Sequence, residues 1–202
     1  MGKGSSGSQL RVAMPDISIQ ALTPDTWPLF AALIERHGGV FGGCWCVGFH
    51  ACGLTRDAAT NRAAKEALVR QGRAHAALVI EDGRCLGWCQ FGPVDELTRI
   101  KNRRAYEAAG LPMADWRITC FFVDRSARRR GIAERALTGA LALIAAQGGG
   151  RVEAFPEDTA GRKRQPFLWG GSLSMLERAG FAVAAPVGKY VRVAVRQVAA
   201  LS

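Results

Sequence analysis

Long apolar runs are missing from this 202-residue sequence. The longest, Ala140–Ala146, falls far short of the ~20 residues a helix needs to cross a bilayer. No basic start leads into an apolar segment, so no signal peptide is read and the expected location is cytoplasmic. Without an export signal, the six cysteines are expected as thiols rather than as a disulfide framework. Cys85, Cys89 and Cys120 fall in apolar strand-like runs, where cysteine behaves as a small hydrophobe. Nucleotide-binding signatures are absent as well. There is no G-x-x-x-x-G-K-[ST], and no G-x-G-x-x-G stands between a strand and a helix. No internal repeat is visible.

What is present is positive charge. A net +10 attracts nucleic acid, anionic membrane or a small anionic ligand. A polyphosphate cofactor would satisfy it. The balance of apolar and charged residues is that of a folded protein, and the length suits one domain. Residues 1–16 are Gly/Ser-rich and aperiodic. They are read as a tail outside the fold, disordered or left from an expression vector, which leaves residues 17–200 as the domain.

The pattern from Ile17 onward alternates short strands with helices. Ile17–Leu22 reads as a strand. Thr23 is expected to cap a helix with Pro24 at its first position, closing near Gly38. After a Gly/Cys/Trp segment, a second helix is expected from Thr55 to Arg70, stopped by Gly72. Ala76–Ile80 and Cys85–Phe91 flank Glu81-Asp82-Gly83-Arg84 and read as a hairpin. Residues 94–110 read as a basic helical insertion. Arg117–Val123 is a strand, Ile132–Gln147 the best amphipathic helix, and Arg151–Phe155 a further strand. A polar basic loop, 156–165, precedes a short helix with capping-box spacing at Ser174 and Glu177 and a left-handed stop at Gly180. Phe181–Val187 and Tyr190–Val198 read as a closing hairpin. The strand–helix–strand unit from Arg117 to Phe155 requires a right-handed parallel crossover. The expected fold is therefore α/β (α+β): a mixed, mostly antiparallel sheet sandwiched by helices.

The strand ending at Val123 runs through Arg128-Arg129-Arg130-Gly131-Ile132-Ala133 straight into the amphipathic helix. A helix N-terminus carries unsatisfied amides and about half a positive charge, so it suits an anion. Gly131 and Ala133 leave room for a ligand to approach the backbone, and three arginines add attraction. An arginine-rich helix start that is merely solvated would look the same.

Arg128-x-x-Gly131-x-Ala133, between strand and helix, resembles motif A of the GNAT superfamily of N-acetyltransferases. Glu177-Arg-Ala-Gly-Phe181 resembles a second, C-terminal motif of that superfamily. The element order over Ile17–Val198 is similar too. The resemblance implies that the backbone from Arg128 to Ala133 holds the pyrophosphate of acetyl-CoA. It also implies that Phe121, Phe122 and Val123 pair with the pantetheine arm, and that the thioester carbonyl meets an amide near Val123. Many relatives place a tyrosine acid where Leu176 stands, and some a glutamate base where Thr119 stands. Neither residue here can move a proton. The resemblance also implies a splay between the Arg117–Val123 and Arg151–Phe155 strands; Glu153, on the second of them, is the alternative base, and a carboxylate paired with an arginine is the competing reading. A serine such as Ser172 or Ser174, or a water, is the candidate for protonating the leaving thiolate, with Ser174 taken as the site residue.

Gly42-Gly43-Cys44-Trp45-Cys46-Val47-Gly48-Phe49-His50-Ala51-Cys52 lies where relatives often build acceptor sites. Its thiols and histidine are zinc-ligand types, but C-x-C-x₃-H-x-C is too compressed for a paired zinc site, and no metal is assigned. The stretch is either a buried turn or an acceptor-pocket wall in which Trp45, Cys46 and Phe49 contact substrate. The leading expectation is acetyl transfer to a primary amine of a small molecule by direct attack in a ternary complex. A protein or peptide N-acetyltransferase and a non-catalytic acyl-CoA-binding module are the alternatives. Nucleic-acid binding through the insertion and Lys163-Arg164 lacks a recognised module. No membrane partner is expected, and a homodimer is left open by the resemblance.

Overall fold

The computed structural model describes residues 17–160 and 168–201. The tail before Ile17 and the Lys163-Arg164 pair lie outside the described residues. Seven strands, β1 (Ile17–Ala21), β2 (His75–Glu81), β3 (Arg84–Pro93), β4 (Trp116–Val123), β5 (Gly150–Ala154), β6 (Ala182–Pro186) and β7 (Arg192–Val198), form one sheet. Their order is β1-β2-β3-β4-β5-β7-β6. Every neighbouring pair is antiparallel except β4 and β5. The helices are α1 (Trp27–Arg36), α2 (Ala58–Arg70), α3 (Arg103–Ala108), α4 (Ile132–Ala146) and α5 (Leu173–Arg178).

Strand alternation sends neighbouring side chains to opposite faces. Ala77, Val79, Cys89 and Phe91 meet the apolar stripe of α4, where Ile132, Ala136, Leu137, Ala140 and Ile144 are buried as the 3.6-residue period requires. Leu78, Ile80, Cys85 and Trp88 face the other way onto Trp27, Phe30 and Leu33 of α1. The expected helix-covered mixed sheet is thus present. The β2–β3 hairpin turns on Asp82 and Gly83, both left-handed at φ 49° and 72°, the backbone a tight two-residue turn demands.

Three helix starts differ from the expectation, each because another side chain holds the entry. Thr26 rather than Thr23 precedes α1, and Pro28 rather than Pro24 lies in its first turn. The Thr26 hydroxyl donates to the Ala21 carbonyl at 2.7 Å, tying the turn back to β1 and delaying the helix. Asp57, not Thr55, caps α2 by accepting from the amides of Ala59 and Thr60. Ser172, not Ser174, caps α5 through the Met175 amide at 3.3 Å. The basic insertion is helical only over Arg103–Ala108, since Asn102 at φ 56° interrupts any earlier turn.

Two features of β4 position the site. The first is a bulge opposite Gln90/Phe91, which turns Thr119 and Cys120 to the same face. Thr119 accepts from Gln90 Nε2 at 3.0 Å, and Cys120 Sγ lies 3.2 Å from Cys46 Sγ. The second is the divergence of β4 from β5. Their parallel pairing covers Trp116↔Val152, Arg117↔Glu153 and Ile118↔Ala154 and then stops. Beyond Ile118 the sheet opens into a gap.

Candidate active site

Asp124 opens the loop that leaves β4. Its carboxylate accepts from the Ser126 amide at 2.9 Å and hydroxyl at 2.8 Å. Arg36 at 3.0 Å, Arg84 at 2.9 Å and His37 Nε2 at 3.3 Å complete the cluster. Burial favours the protonated form, but the Ser126 bonds and the Arg36 guanidinium outweigh it and hold the carboxyl well below the usual aspartate range. A depressed folded-state pKa stabilises the fold above the unfolded value and loses that contribution as pH falls through it. Asp124→Asn should therefore cost about 1–3 kcal/mol at neutral pH. It should also flatten the acid limb of a urea-denaturation series; an unchanged acid limb would remove Asp124 as its source.

The loop then becomes a concave row of amides. Arg129 and Gly131 are both left-handed, at φ 60° and 74°, an alternation that turns successive N–H groups toward one point. Gly131 is the residue before α4 and supplies no side-chain cap. Among the described residues, the amides of Arg129–Glu134 donate to no backbone carbonyl. A Cβ placed on Gly131 would meet nothing within 4 Å, so the space beside Gly131 is open. Arg130 is committed elsewhere, its guanidinium bonding Glu81 at 3.1 Å through Nη1. Only its backbone is available to an anion. Uncapped amides, a helix dipole and open space are the requirements for a diphosphate.

The loop leads back to the gap. The Asp124 amide bonds the Leu86 carbonyl at 2.8 Å, which makes Gly87↔Val123 a pair whose own amides and carbonyls turn away from each other. Val123 therefore presents its N–H and C=O to the gap. The Phe121 amide also faces the gap but donates to the Trp169 carbonyl at 2.7 Å. Of the 121–123 backbone, Val123 keeps the expected freedom to pair with an extended ligand, and Phe121 shares its amide with the chain itself. The Phe121 ring packs into the α4-side core, and Phe122 stacks on Trp88 at 5.0 Å.

Cys120 and Trp169 also line a cavity of about 380 Å³ on the α1–α2 side of the sheet. Its walls include Phe41, Phe49, Leu54 and Ile100, with Cys44 and Cys46 beside them and Arg99 and Lys101 at the side. One wall is the left-handed loop after α1. Val40, Phe41, Trp45 and Cys46 hold φ values of 34°, 49°, 46° and 55°, a conformation costing roughly 1–2 kcal/mol for each such residue. Such strain concentrates at binding sites. Burial and mutual contact push the thiols up: Cys44 first through Cys46, and Cys46 first through Cys120. They are neutral wall groups. Behind them Lys65, fully buried on α2, donates to Gln90 Oε1 at 2.7 Å, and burial lowers its pKa.

Residues 33–167 match the family model described as "Acetyltransferase (GNAT) family". The chain belongs to the GNAT acetyltransferase family. No curated protein matches it. Among solved structures it is similar to an N-acetyltransferase from Staphylococcus aureus Mu50, at 16% identity and TM-score 0.51 over 91% of this chain and 98% of that one. The Escherichia coli ribosomal-protein-S18-alanine N-acetyltransferase is similar at 10% identity and TM-score 0.51, over 93% and 97%. A mosquito arylalkylamine N-acetyltransferase like 5b gives 12% identity and TM-score 0.53, over 90% and 100%. At these identities the likeness is one of fold.

Set in a GNAT fold, the acid–base expectations come out differently from the loop. Glu153 is 2% exposed and does not line the cavity. Its carboxylate accepts from Arg117 Nε at 2.6 Å and from the Tyr106 hydroxyl at 2.8 Å. Arg117 also donates to the Leu97 carbonyl. The reading of Glu153 as a base open to the splay gives way to an ion pair that fastens the insertion and α3 to β4 and β5. Tyr106 is no replacement acid, because it does not line the cavity and its hydroxyl is committed to Glu153. Leu176, where the sequence resemblance leads to the expectation of a tyrosine, is fully buried. Ser174 is exposed on the first turn of α5, 3.4 Å from Ser172 Oγ. Of the three acceptor-wall residues, Cys46 and Phe49 line the cavity. Trp45 does not: it is buried against Trp27 at 5.7 Å, with Arg62 over its ring. Its indole belongs to the core because the left-handed turn at Trp45 and Cys46 points successive side chains apart. Arg99, Ile100, Lys101, Cys120 and Trp169 were not anticipated as cavity residues. Only the cationic run of the insertion hinted at them.

Proposed function

We propose that this GNAT protein transfers the acetyl group of acetyl-CoA directly to a primary amine of a small molecule seated in the Phe41/Phe49/Trp169 cavity. The observation that carries this reading is continuity. The uncapped amides of Arg129–Ala133, the Val123 backbone in the gap, and the cavity wall at Cys120 follow one another along the chain. The thioester supplies the activated acyl group. Arg128–Ala133 hold its diphosphate, and Val123 orients the arm by backbone pairing. The cavity excludes water and aligns the amine, which alone contributes a large share of the acceleration. Raised thiol pKa values at Cys44 and Cys46 argue for direct attack over a cysteine-bound acyl group. His50 adds no activating base, since burial lowers its pKa to about 3. The Ser174 hydroxyl relays a proton from solvent to the departing thiolate. A concave site of this size favours a small acceptor over a folded protein surface.

Thiol release from acetyl-CoA across a panel of small primary amines tests the proposal. Release with at least one of them is the expected result. A CoA-induced thermal shift with no release from any amine would instead make the chain an acyl-CoA-binding module. Ser174→Ala should lower kcat by roughly tenfold with little change in either KM, since water can replace a hydroxyl relay. An unaltered kcat would exclude that role.

A further inference from the structure

Building on that reading of the cavity, we infer that the acceptor is an aromatic or apolar monoamine bearing a carboxylate, with Arg99 and Lys101 receiving the carboxylate. The inference rests on which charges surround the cavity. None of its lining side chains among the described residues is Asp or Glu, while Arg99 and Lys101 both line it. Neither cation forms an ion pair among the described residues. An acceptor carrying several ammonium groups would enter without a single counter-charge and against two like charges, a combination that repels wrong ligands strongly. A carboxylate supplies the missing sign, and a guanidinium receives it in bidentate geometry.

Both cations are placed by the fold. The Arg99 amide bonds the Phe49 carbonyl at 3.0 Å, joining the insertion to the cavity wall. The Arg99 guanidinium lies against Gly53, where an added Cβ would come within 2.7 Å of Nη1 and displace it. Lys101 Nζ sits 4.2 Å from the centre of the Trp169 ring, a cation–π contact that aims it along the aromatic wall. Phe49 and Trp169 are themselves 5.4 Å apart at 41°, so an aromatic body has two rings to pack against while its acid reaches the cations. The same positive charge disfavours the ammonium form of the incoming amine. It thereby supplies the neutral nucleophile in a site where Glu153 is held by Arg117 and Tyr106.

The test compares phenylalanine, phenylalaninamide, phenethylamine and spermidine as acceptors with saturating acetyl-CoA. Calorimetric titration of each amine into the protein–CoA complex accompanies the rates. Phenylalanine is expected to exceed its amide at least tenfold in kcat/KM and in affinity, with spermidine the weakest. In Arg99→Ala and Lys101→Ala the carboxylate preference should collapse while acetyl-CoA KM stays constant. Both side chains are exposed, so these variants should fold. Equal use of acid and amide, or preference for spermidine, would overturn the inference while leaving acetyl transfer intact. A rise in acetyl-CoA KM in the two variants would reassign the cations to the coenzyme and overturn it as well. CoA heat without heat from any amine would sink the acceptor assignment alone, whereas no CoA heat would remove the acetyltransferase reading with it.

Discussion

Glu153→Gln should lower folding stability by about 3 kcal/mol, because it removes the charge partner of a buried guanidinium. In a protein of this size that corresponds to a drop in Tm on the order of 10 °C. The loss comes from Arg117, whose side chain is only 7% exposed and cannot recover hydration. Joint replacement of the pair, Arg117→Met with Glu153→Leu, should be far less damaging, since it removes both charges from the interior. The Tyr106 hydroxyl, bonded to Glu153 at 2.8 Å, would limit the recovery by about 1 kcal/mol. Urea denaturation of the single and double variants distinguishes the roles. A stable Glu153→Gln protein with reduced turnover and an altered pH–rate profile would restore Glu153 as the base.

Gly131→Glu should weaken CoA binding by at least about 100-fold, equivalent to roughly 2.8 kcal/mol, and leave the chain folded. Residue 131 sits at φ 74° with open space before it. A side chain there takes on the strain of the left-handed region, about 1–2 kcal/mol, but clashes with nothing. Its carboxylate would occupy the uncapped amides of α4, recovering some of that strain through the helix dipole. The same occupation expels the diphosphate. Gly131→Ala should show the strain alone, with CoA affinity reduced much less. Far-ultraviolet circular dichroism with calorimetry separates the two effects; wild-type affinity in the glutamate variant would detach the loop from CoA.

Local chemistry made part of this molecule readable from sequence. The α4 stripe has a 3.6-residue period, the Asp82-Gly83 turn needs left-handed residues, and Gly180 ends α5 at φ 79°. Each signal lies within a few residues. The backbone from Arg128 to Ala133 is of the same kind, since strand, left-handed Gly131 and helix start are contiguous. The remainder depends on partners distant in sequence. Glu153 finds Arg117 and Tyr106 from 36 and 47 positions away, which converts a candidate base into an anchor. The Trp169 carbonyl reaches Phe121 from another segment and occupies an amide that looked free. Trp45 and Phe49 look alike in sequence, yet the left-handed turn sends one to the core and the other to the cavity. Thr23 and Thr26 both suit a cap, and only the bond from Thr26 to Ala21 decides between them.

Amide-resolved NMR during a titration with CoA tests the central claim most directly. Saturable shifts should be largest at the backbone N–H groups of Arg129, Arg130, Gly131, Ile132 and Ala133, followed by Val123 along the gap. Shifts confined to other parts of the sheet, or none at millimolar CoA, would contradict the account.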